Sequence, residues 1–206
     1  MKYNSLIIIP TYNEAENIEL IINKIISIDN SNDVLVVDDN SPDGTSEIVN
    51  NLNNIHDSRV FLIKRDKKSG LGSAYRTGFK WALDNKYSYI FQMDADMSHD
   101  PNEIKNLKIQ LTQNKYDFVI GSRYIEGVSV VNWPLSRIFL SYFANLYVRS
   151  ITCMPVKDAT SGFVGYTKKA LNSIELSEIK FNGYAFQIEM KFKLWKKNFK
   201  LKEHQI

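Results

Sequence analysis

Five short, apolar, β-rich runs alternate with stretches of helical spacing, the pattern of an α/β protein whose mostly parallel sheet carries helices on both faces. Each run is closed at once by a polar or glycine-bearing cluster. Strands of an open parallel sheet all end at one edge, and that edge is where such folds bind ligands. The 206 residues, 44% hydrophobic and 24% charged, supply one sizeable core, and no linker, repeat or low-complexity run divides them. One domain over 1–206 is expected, with a nucleotide-binding half over about 1–120 and an acceptor half over about 121–206.

The first run is Ser5–Ile9, followed by Ile18, Ile21, Ile22, Ile25 and Ile26 on one helical face. Asp33–Val37 is the second, with Ile48, Val49 and Leu52 after it. Arg59–Ile63 precedes a helix carrying Ala74, Phe79, Trp81, Ala82 and Leu83. After Ser88–Met93, Asp100-Pro-Asn-Glu103 sets a cap, an N1 proline and an N3 carboxylate before Ile104 and Leu107. Asp117–Ile120 is the fifth run. Residues 135–152 read as a helix apolar nearly all round, crossed by Arg137, Ser141, Asn145 and Arg149 at i, i+4 steps that drift only ~40° each. Tyr184–Asn198 mixes Phe186, Ile188, Met190, Phe192, Leu194 and Trp195 with Lys191, Lys193, Lys196 and Lys197, which reads either as a helix with a solvated lysine face or as a segment lying on an anionic bilayer.

A net charge of +3 conceals an asymmetry: 1–156 carries 16 Lys+Arg against 18 Asp+Glu, and 157–206 carries ten Lys against five acids. The basic end suits an anionic neighbour or plain solvent equally. The single cysteine, Cys153, forms no internal disulfide and lacks a neighbouring histidine. Charges interrupt each apolar segment before the ~18–20 residues that span a bilayer, and the N-terminus reads as a strand rather than a signal peptide. A cytoplasmic protein, soluble or peripheral to the membrane, is expected.

Chemistry gathers in the clusters. Asp94-Ala-Asp96 sets two carboxylates at i and i+2 directly after a buried run. Mg²⁺ or Mn²⁺ takes carboxylate and phosphate oxygens together, so the pair is a candidate metal site beside a diphosphate, although alone it also fits an ordinary turn. Asp38-Asp39 can accept hydrogen bonds from a base or ribose, or serve only as a turn and helix cap with Asn40, Ser41, Pro42, Asp43 and Gly44. Lys67, Lys68 and Gly70-Leu-Gly72 join basic side chains to a turn able to approach phosphates. The spacing is not a Walker loop, and no dinucleotide fingerprint follows the first run, which argues against a redox cofactor.

Seven motifs in order then carry a resemblance: Ile9-Pro-Thr-Tyr-Asn-Glu-Ala-Glu-Asn17, Val36-Val-Asp-Asp-Asn-Ser-Pro-Asp-Gly-Thr45, Lys67-Lys-Ser-Gly-Leu-Gly-Ser-Ala-Tyr75, Met93-Asp-Ala-Asp-Met-Ser-His99, Gly121-Ser-Arg-Tyr124, Ala159-Thr-Ser-Gly-Phe163 and Gly183-Tyr-Ala-Phe-Gln-Ile-Glu189. Together they resemble the family-2 glycosyltransferases, most closely the dolichol-phosphate (polyprenol-phosphate) mannosyltransferase branch. The resemblance implies a GT-A type fold that moves mannose from GDP-mannose to a polyprenyl monophosphate with a divalent metal and inversion. It implies donor contacts at Pro10, Tyr12, Glu14, Val37, Asp39, Lys68, Asp94, Ala95 and Asp96. Asp96 is the leading metal ligand with Asp94, and Ser98 stands where some members use Gln. Arg123, Arg137 and Ser141 would surround the lipid phosphate, with Asp96 and Arg123 the residues on which catalysis rests. Family members usually continue into an Arg- and Lys-bearing closing loop, so a truncated C-terminus is expected.

A phosphate monoester has its second pKa near ~6 and is already a nucleophile at pH 7, so the reaction requires no general base. His99 is therefore expected to be structural. Peripheral contact with the membrane surface is expected, and no nucleic acid. The residues leave open UDP-glucose or UDP-N-acetylglucosamine as donor and a sugar hydroxyl as acceptor. A non-catalytic nucleotide-binding scaffold at the membrane would keep the same sheet.

Overall fold

The computed structural model describes residues 4–125, 127 and 134–206, the side chain of Arg137 excepted. The five apolar runs form β1 (Ser5–Thr11), β2 (Asn32–Asp38), β3 (Val60–Lys64), β4 (Tyr89–Gln92) and β5 (Phe118–Ser122). Their period-2 alternation divides the core between two faces. Leu6, Ile8, Leu35 and Val37 face one side with Ala74, Tyr75 and Phe79 of α3 (Leu71–Asp84) and Phe186, Met190 and Leu194 of α7 (Gly183–Lys196). Ile7, Ile9, Val34 and Val36 face the other, against the isoleucines of α1 (Ile18–Ile28), Val49 and Leu52 of α2 (Thr45–Ile55) and Ile104, Leu107 and Leu111 of α4 (Glu103–Thr112). The expected α/β class, with helices on both faces, is what forms.

Two strands lie beyond the five. β6 (Val164–Thr167) follows α5 (Leu135–Thr152), and β7 (Leu201–Gln205) follows the short α6 (Lys168–Asn172) and α7, giving a sheet of order β3-β2-β1-β4-β6-β5-β7. β6 runs antiparallel to β4 and β5, and β7 runs parallel to β5. Val164 stands beside Gln92 and Ile120, so the loop before β6 reaches the same edge as the ends of β4 and β5.

Three local expectations change. α4 begins at Glu103 rather than Pro101: Asp100 Oδ1 accepts from Asn102 N at 3.0 Å, closing a turn ahead of the helix. α5 spans the expected residues, but its apolar surface does not close on the core: Leu135 (73% exposed) and Leu140 (74%) point outward with Phe139, Phe143, Leu146, Tyr147 and Ile151. In α7 Lys191 is fully buried instead of joining a solvated lysine face. Among the described residues no helix is long and apolar enough to cross a membrane.

Candidate functional site

The loops after β1 and β2 are stitched together by short polar side chains. Asp38 is buried and accepts from Thr11 Oγ1 (2.8 Å), Ser41 N (2.9 Å) and Ser46 Oγ (2.9 Å). Burial works to raise its pKa, but these hydrogen bonds outweigh it and hold the carboxyl below its ordinary value. Ser41 Oγ accepts from Asn13 N, Thr45 Oγ1 from Glu14 N and Asp43 Oδ2 from Ala15 N, at 3.0–3.1 Å. The Ser-Pro-Asp-Gly-Thr element is thus a clasp on the neighbouring loop. Asp38 belongs to it, which leaves Asp39 as the acid of the pair on the ligand edge.

Asp39 is itself paired. Its carboxylate accepts from Arg65 Nε and from Ser69 N, and Arg65 Nη1 donates to Ser73 Oγ at 2.7 Å, so the loop after β3 is drawn onto the end of β2. Lys68 Nζ lies 3.8 Å from the centre of the Tyr12 ring, a cation–π contact that brings two of the expected donor contacts together. Pro10 is half-buried beside Val37, whose side chain lies in the core, so only the backbone of Val37 remains for a ligand. A Cβ at Gly72 would stand 2.8 Å from Phe181 O, so the glycine is what lets α3 pack against the segment just ahead of α7.

At the end of β4, Tyr75 Oη donates to Asp94 Oδ1 at 3.3 Å, and Gly162 lies so close that a Cβ would stand 3.0 Å from Asp94 Oδ2. Met97 adopts φ 61°, and Ser98 N donates to Asp96 Oδ1 at 3.0 Å, so the exposed Ser98 caps the turn. Ala95 between the two acids is buried. Burial raises the Glu14 pKa, and the charges of Asp96, Asp43 and Asp94 raise it further against a hydrogen bond from Asn17. Carboxylates crowded in this way suit a hard cation. Among the described residues no three acids, histidines or cysteines converge as a metal set, so a cation here needs substrate oxygens to complete its shell. His99 Nδ1 accepts from Asp94 N at 3.2 Å and the ring stacks on Phe163 at 5.0 Å; burial lowers its pKa and keeps it neutral.

The next group stands close enough to His99 to act on its charge: Arg123 after β5, and Asp158 before β6. Arg123 grips the fully buried Asp158 through Nε and Nη2, both at 2.7 Å, and Nη2 also donates to Thr160 Oγ1 at 3.1 Å. Burial opposes charge on both partners, yet the pair holds Asp158 below and Arg123 above their ordinary values. Tyr124 Oη donates to Ser141 Oγ at 2.7 Å, tying this loop to α5. From α5, Asn145 Oδ1 accepts from Ala159 N (2.8 Å). From α7, Lys191 Nζ donates to Ala159 O (2.9 Å) and Ser161 O (2.7 Å). Arg137 lies one turn before Ser141 on α5, and its side chain is outside the described residues.

Nothing local in the sequence marks Arg65, Asp158 or Lys191 as site residues, save that Asp158 stands just ahead of the Ala159–Phe163 motif. Arg65 lay inside a basic cluster without distinction.

Comparison with known proteins bears on the same span. Residues 6–175 match the model of Glycosyl transferase family 2. The chain is 40% identical over 199 residues to a polyprenol monophosphomannose synthase of Mycolicibacterium smegmatis, covering 97% of this chain and 75% of that protein. It is 40% identical over 188 residues to an undecaprenyl-phosphate mannosyltransferase of Micrococcus luteus, covering 91% and 76%. Among solved structures, a mannosyltransferase from Pyrobaculum calidifontis in complex with GDP-Man and Mn²⁺ superposes with a TM-score of 0.67 at 19% identity, covering 98% of this chain and 55% of that one. Glucosyl-3-phosphoglycerate synthase from Mycobacterium tuberculosis with Mn²⁺, UDP and phosphoglyceric acid gives 0.73 at 16%, covering 98% and 68%. These likenesses show a shared fold.

Proposed function

The chain belongs to glycosyl transferase family 2, and on that footing we propose that it transfers mannose from GDP-mannose to a polyprenyl monophosphate, with inversion at the anomeric carbon. The observation that carries this reading is the identity of about 40%, spread over nearly the whole chain, to two polyprenyl-phosphate mannosyltransferases. The GT-A type fold agrees with it. We read 1–206 as one catalytic domain with donor contacts in about 1–120 and acceptor contacts in about 121–206.

In this reading Tyr12, Glu14, Asp39 and Lys68 take the nucleotide, with backbone from Pro10 and Val37, and Asp94, Ala95 and Asp96 lie along its diphosphate. Asp96 and Asp94 would hold Mg²⁺ or Mn²⁺ with the diphosphate oxygens, beside Ser98. When bound, the cation neutralises charge that develops on the departing nucleoside diphosphate. Arg123, Arg137 and Ser141 take the acceptor phosphate. Asp158 positions Arg123 while its guanidinium remains cationic, as a phosphate site requires. The phosphate oxygen attacks without a general base, and His99 serves as a neutral structural group because its Nδ1 lone pair is already engaged. The exposed apolar face of α5 supports peripheral contact with the cytoplasmic face of a membrane, where the prenyl chain resides.

The test is lipid-product formation from polyprenyl phosphate in vesicles with Mn²⁺ and labelled GDP-mannose, UDP-glucose or UDP-N-acetylglucosamine. Product from GDP-mannose is expected; product from UDP-sugars alone would sink the reading. Asp96→Ala should lower turnover about 100-fold or more, the scale of losing a group that stabilises transition-state charge. Arg137→Ala should cause a comparable loss with the phosphate acceptor, and retained turnover would remove Arg137 from the acceptor site.

A further inference from the structure

β7 is an edge of the sheet and reads Leu-Lys-Glu-His-Gln. Charged side chains on an edge strand ordinarily keep it from pairing with another chain. The exposed Lys202 fits that explanation, but the half-buried Glu203 does not. Alternate residues of a strand share a face, so Leu201, Glu203 and Gln205 lie on one side of β7 and Lys202 and His204 on the other. Glu203 is turned to the loop ahead of β6: Oε2 accepts from Lys157 N at 2.8 Å and Oε1 from Asp158 N at 2.9 Å. On the same face Gln205 Oε1 accepts from Ile125 N at 3.1 Å, and Lys157 Nζ donates to Ile125 O at 3.1 Å.

The carboxylate of Glu203 thus holds the main chain at Asp158, whose own carboxylate holds Arg123. Asp158 accepts from Arg123 N at 3.1 Å and from Nε and Nη2 at 2.7 Å. The parallel register sets Glu203 beside Ile120 and Gln205 beside Ser122, so Arg123 leaves β5 one residue past the last pair. A carboxylate suits this place because two successive N–H groups face it and both of its oxygens accept. A glutamine offers one acceptor and sets an NH₂ against the other N–H. A guanidinium recognises phosphate as a planar fork, so a shift of the loop beneath it misaims the fork.

We propose that Glu203 is a positioning residue of the acceptor site: it fixes the backbone at Asp158 so that Asp158 presents the Arg123 guanidinium to the acceptor phosphate. This inference rests on the reading of Arg123 as an acceptor-phosphate group. It makes β7 a part of the acceptor machinery although no residue of the strand touches substrate.

The test compares Glu203→Gln with His204→Gln on the full chain. His204 lies on the opposite face of the strand, where its Nε2 meets Glu103 Oε2 at 3.0 Å, so its loss loosens β7 without touching the loop. In the vesicle assay, well below the melting temperature of each variant, Glu203→Gln should raise KM for polyprenyl phosphate about fivefold or more, the scale of a lost charge-assisted hydrogen bond. Its KM for GDP-mannose should stay within about twofold of wild type, and His204→Gln should keep both values within that range. Glu203→Ala, which lets water reach the two amides, should show the same split. Proton exchange at Arg123 Nε–H, read by heteronuclear NMR and assigned by its absence in Arg123→Lys, should quicken in Glu203→Gln and not in His204→Gln. An unchanged acceptor KM, an equal rise in both KM values, or the same rise in His204→Gln would overturn the proposal. Failure of both Glu203 variants to fold would make the residue structural and overturn it too. If wild type makes no lipid product from polyprenyl phosphate with any donor, the reading of the site fails instead. The exchange measurement then decides alone: faster exchange sustains the hold of Glu203 on Arg123, and unchanged exchange refutes it.

Discussion

Helices α5 and α7 depart from the usual soluble helix in opposite senses. α5 turns large apolar side chains outward, among them Phe139, Leu140, Phe143 and Tyr147, while it buries Asn145 against the loop ahead of β6. α7 packs its apolar row on α3 and buries a lysine and a glutamine beside it. Both meet the loop of residues 158–161, α5 through Asn145 and α7 through Lys191. The difference concerns what stands in for water. An outward apolar face needs an apolar neighbour, and an inward polar group needs a polar one.

The comparison breaks most severely at Asp158, the base of the shared loop. Asp158→Ala strips the partner from a largely buried Arg123, and urea titration should show stability falling by about 3–5 kcal/mol. A loss below about 1 kcal/mol would mean that the loop is braced elsewhere. The carboxyl is held below its ordinary 3.8, so its contribution is present above that value and fades as pH falls through the lower folded-state value.

The outward face is sharpened by Phe139→Ser with Phe143→Ser. Partition onto anionic vesicles should weaken about tenfold or more, since each ring contributes roughly 1.5–3 kcal/mol when fully buried. The melting temperature should hardly move, because both rings are already exposed to water. Undiminished vesicle binding would assign the apolar face to something other than lipid.

The buried side of the comparison is tested at Lys191, where the effect is spread over several pH units and is smallest per step. Burial pulls its pKa down to about 7 from an ordinary 10.5, against the opposing influence of Asp158. Between those values the unfolded chain binds the proton and the folded protein does not, so this group makes stability rise with pH, by about 1.4 kcal/mol per unit. Lys191→Met should remove that slope between pH 7 and 10, whatever it does to baseline stability by releasing two carbonyls. An unaltered slope would return Lys191 to an ordinary charged lysine.

Much of this was legible locally. β1 to β5 announce themselves as apolar runs closed by polar clusters, and Asp94, Asp96, Asp39 and Arg123 follow such runs directly. β6 is four residues, one a glycine, without alternation, and β7 reads Leu-Lys-Glu-His-Gln, a polar edge strand. Neither carries a periodic signal. The partners of Asp39 and Arg123 were illegible for a different reason: Arg65 lies 26 residues from its acid and Asp158 lies 35 from its arginine, distances at which no local pattern marks a pair. The outward face of α5 was hidden because spacing reports that a helix is apolar, not which medium it meets.

The antiparallel β6 also sets an order of assembly. β3, β2, β1 and β4 are neighbours in the sheet, and all four have left the ribosome once Gln92 has. β4 then keeps an open edge until its partner, Val164–Thr167, is made, and β5 waits for the same four residues. The donor flank can form early from nearby segments, whereas the acceptor flank closes late through a single distant pairing, which is slow and leaves a strand edge open to wrong partners meanwhile. A nascent chain halted between Gln92 and Val164 is where misassembly of this protein should concentrate.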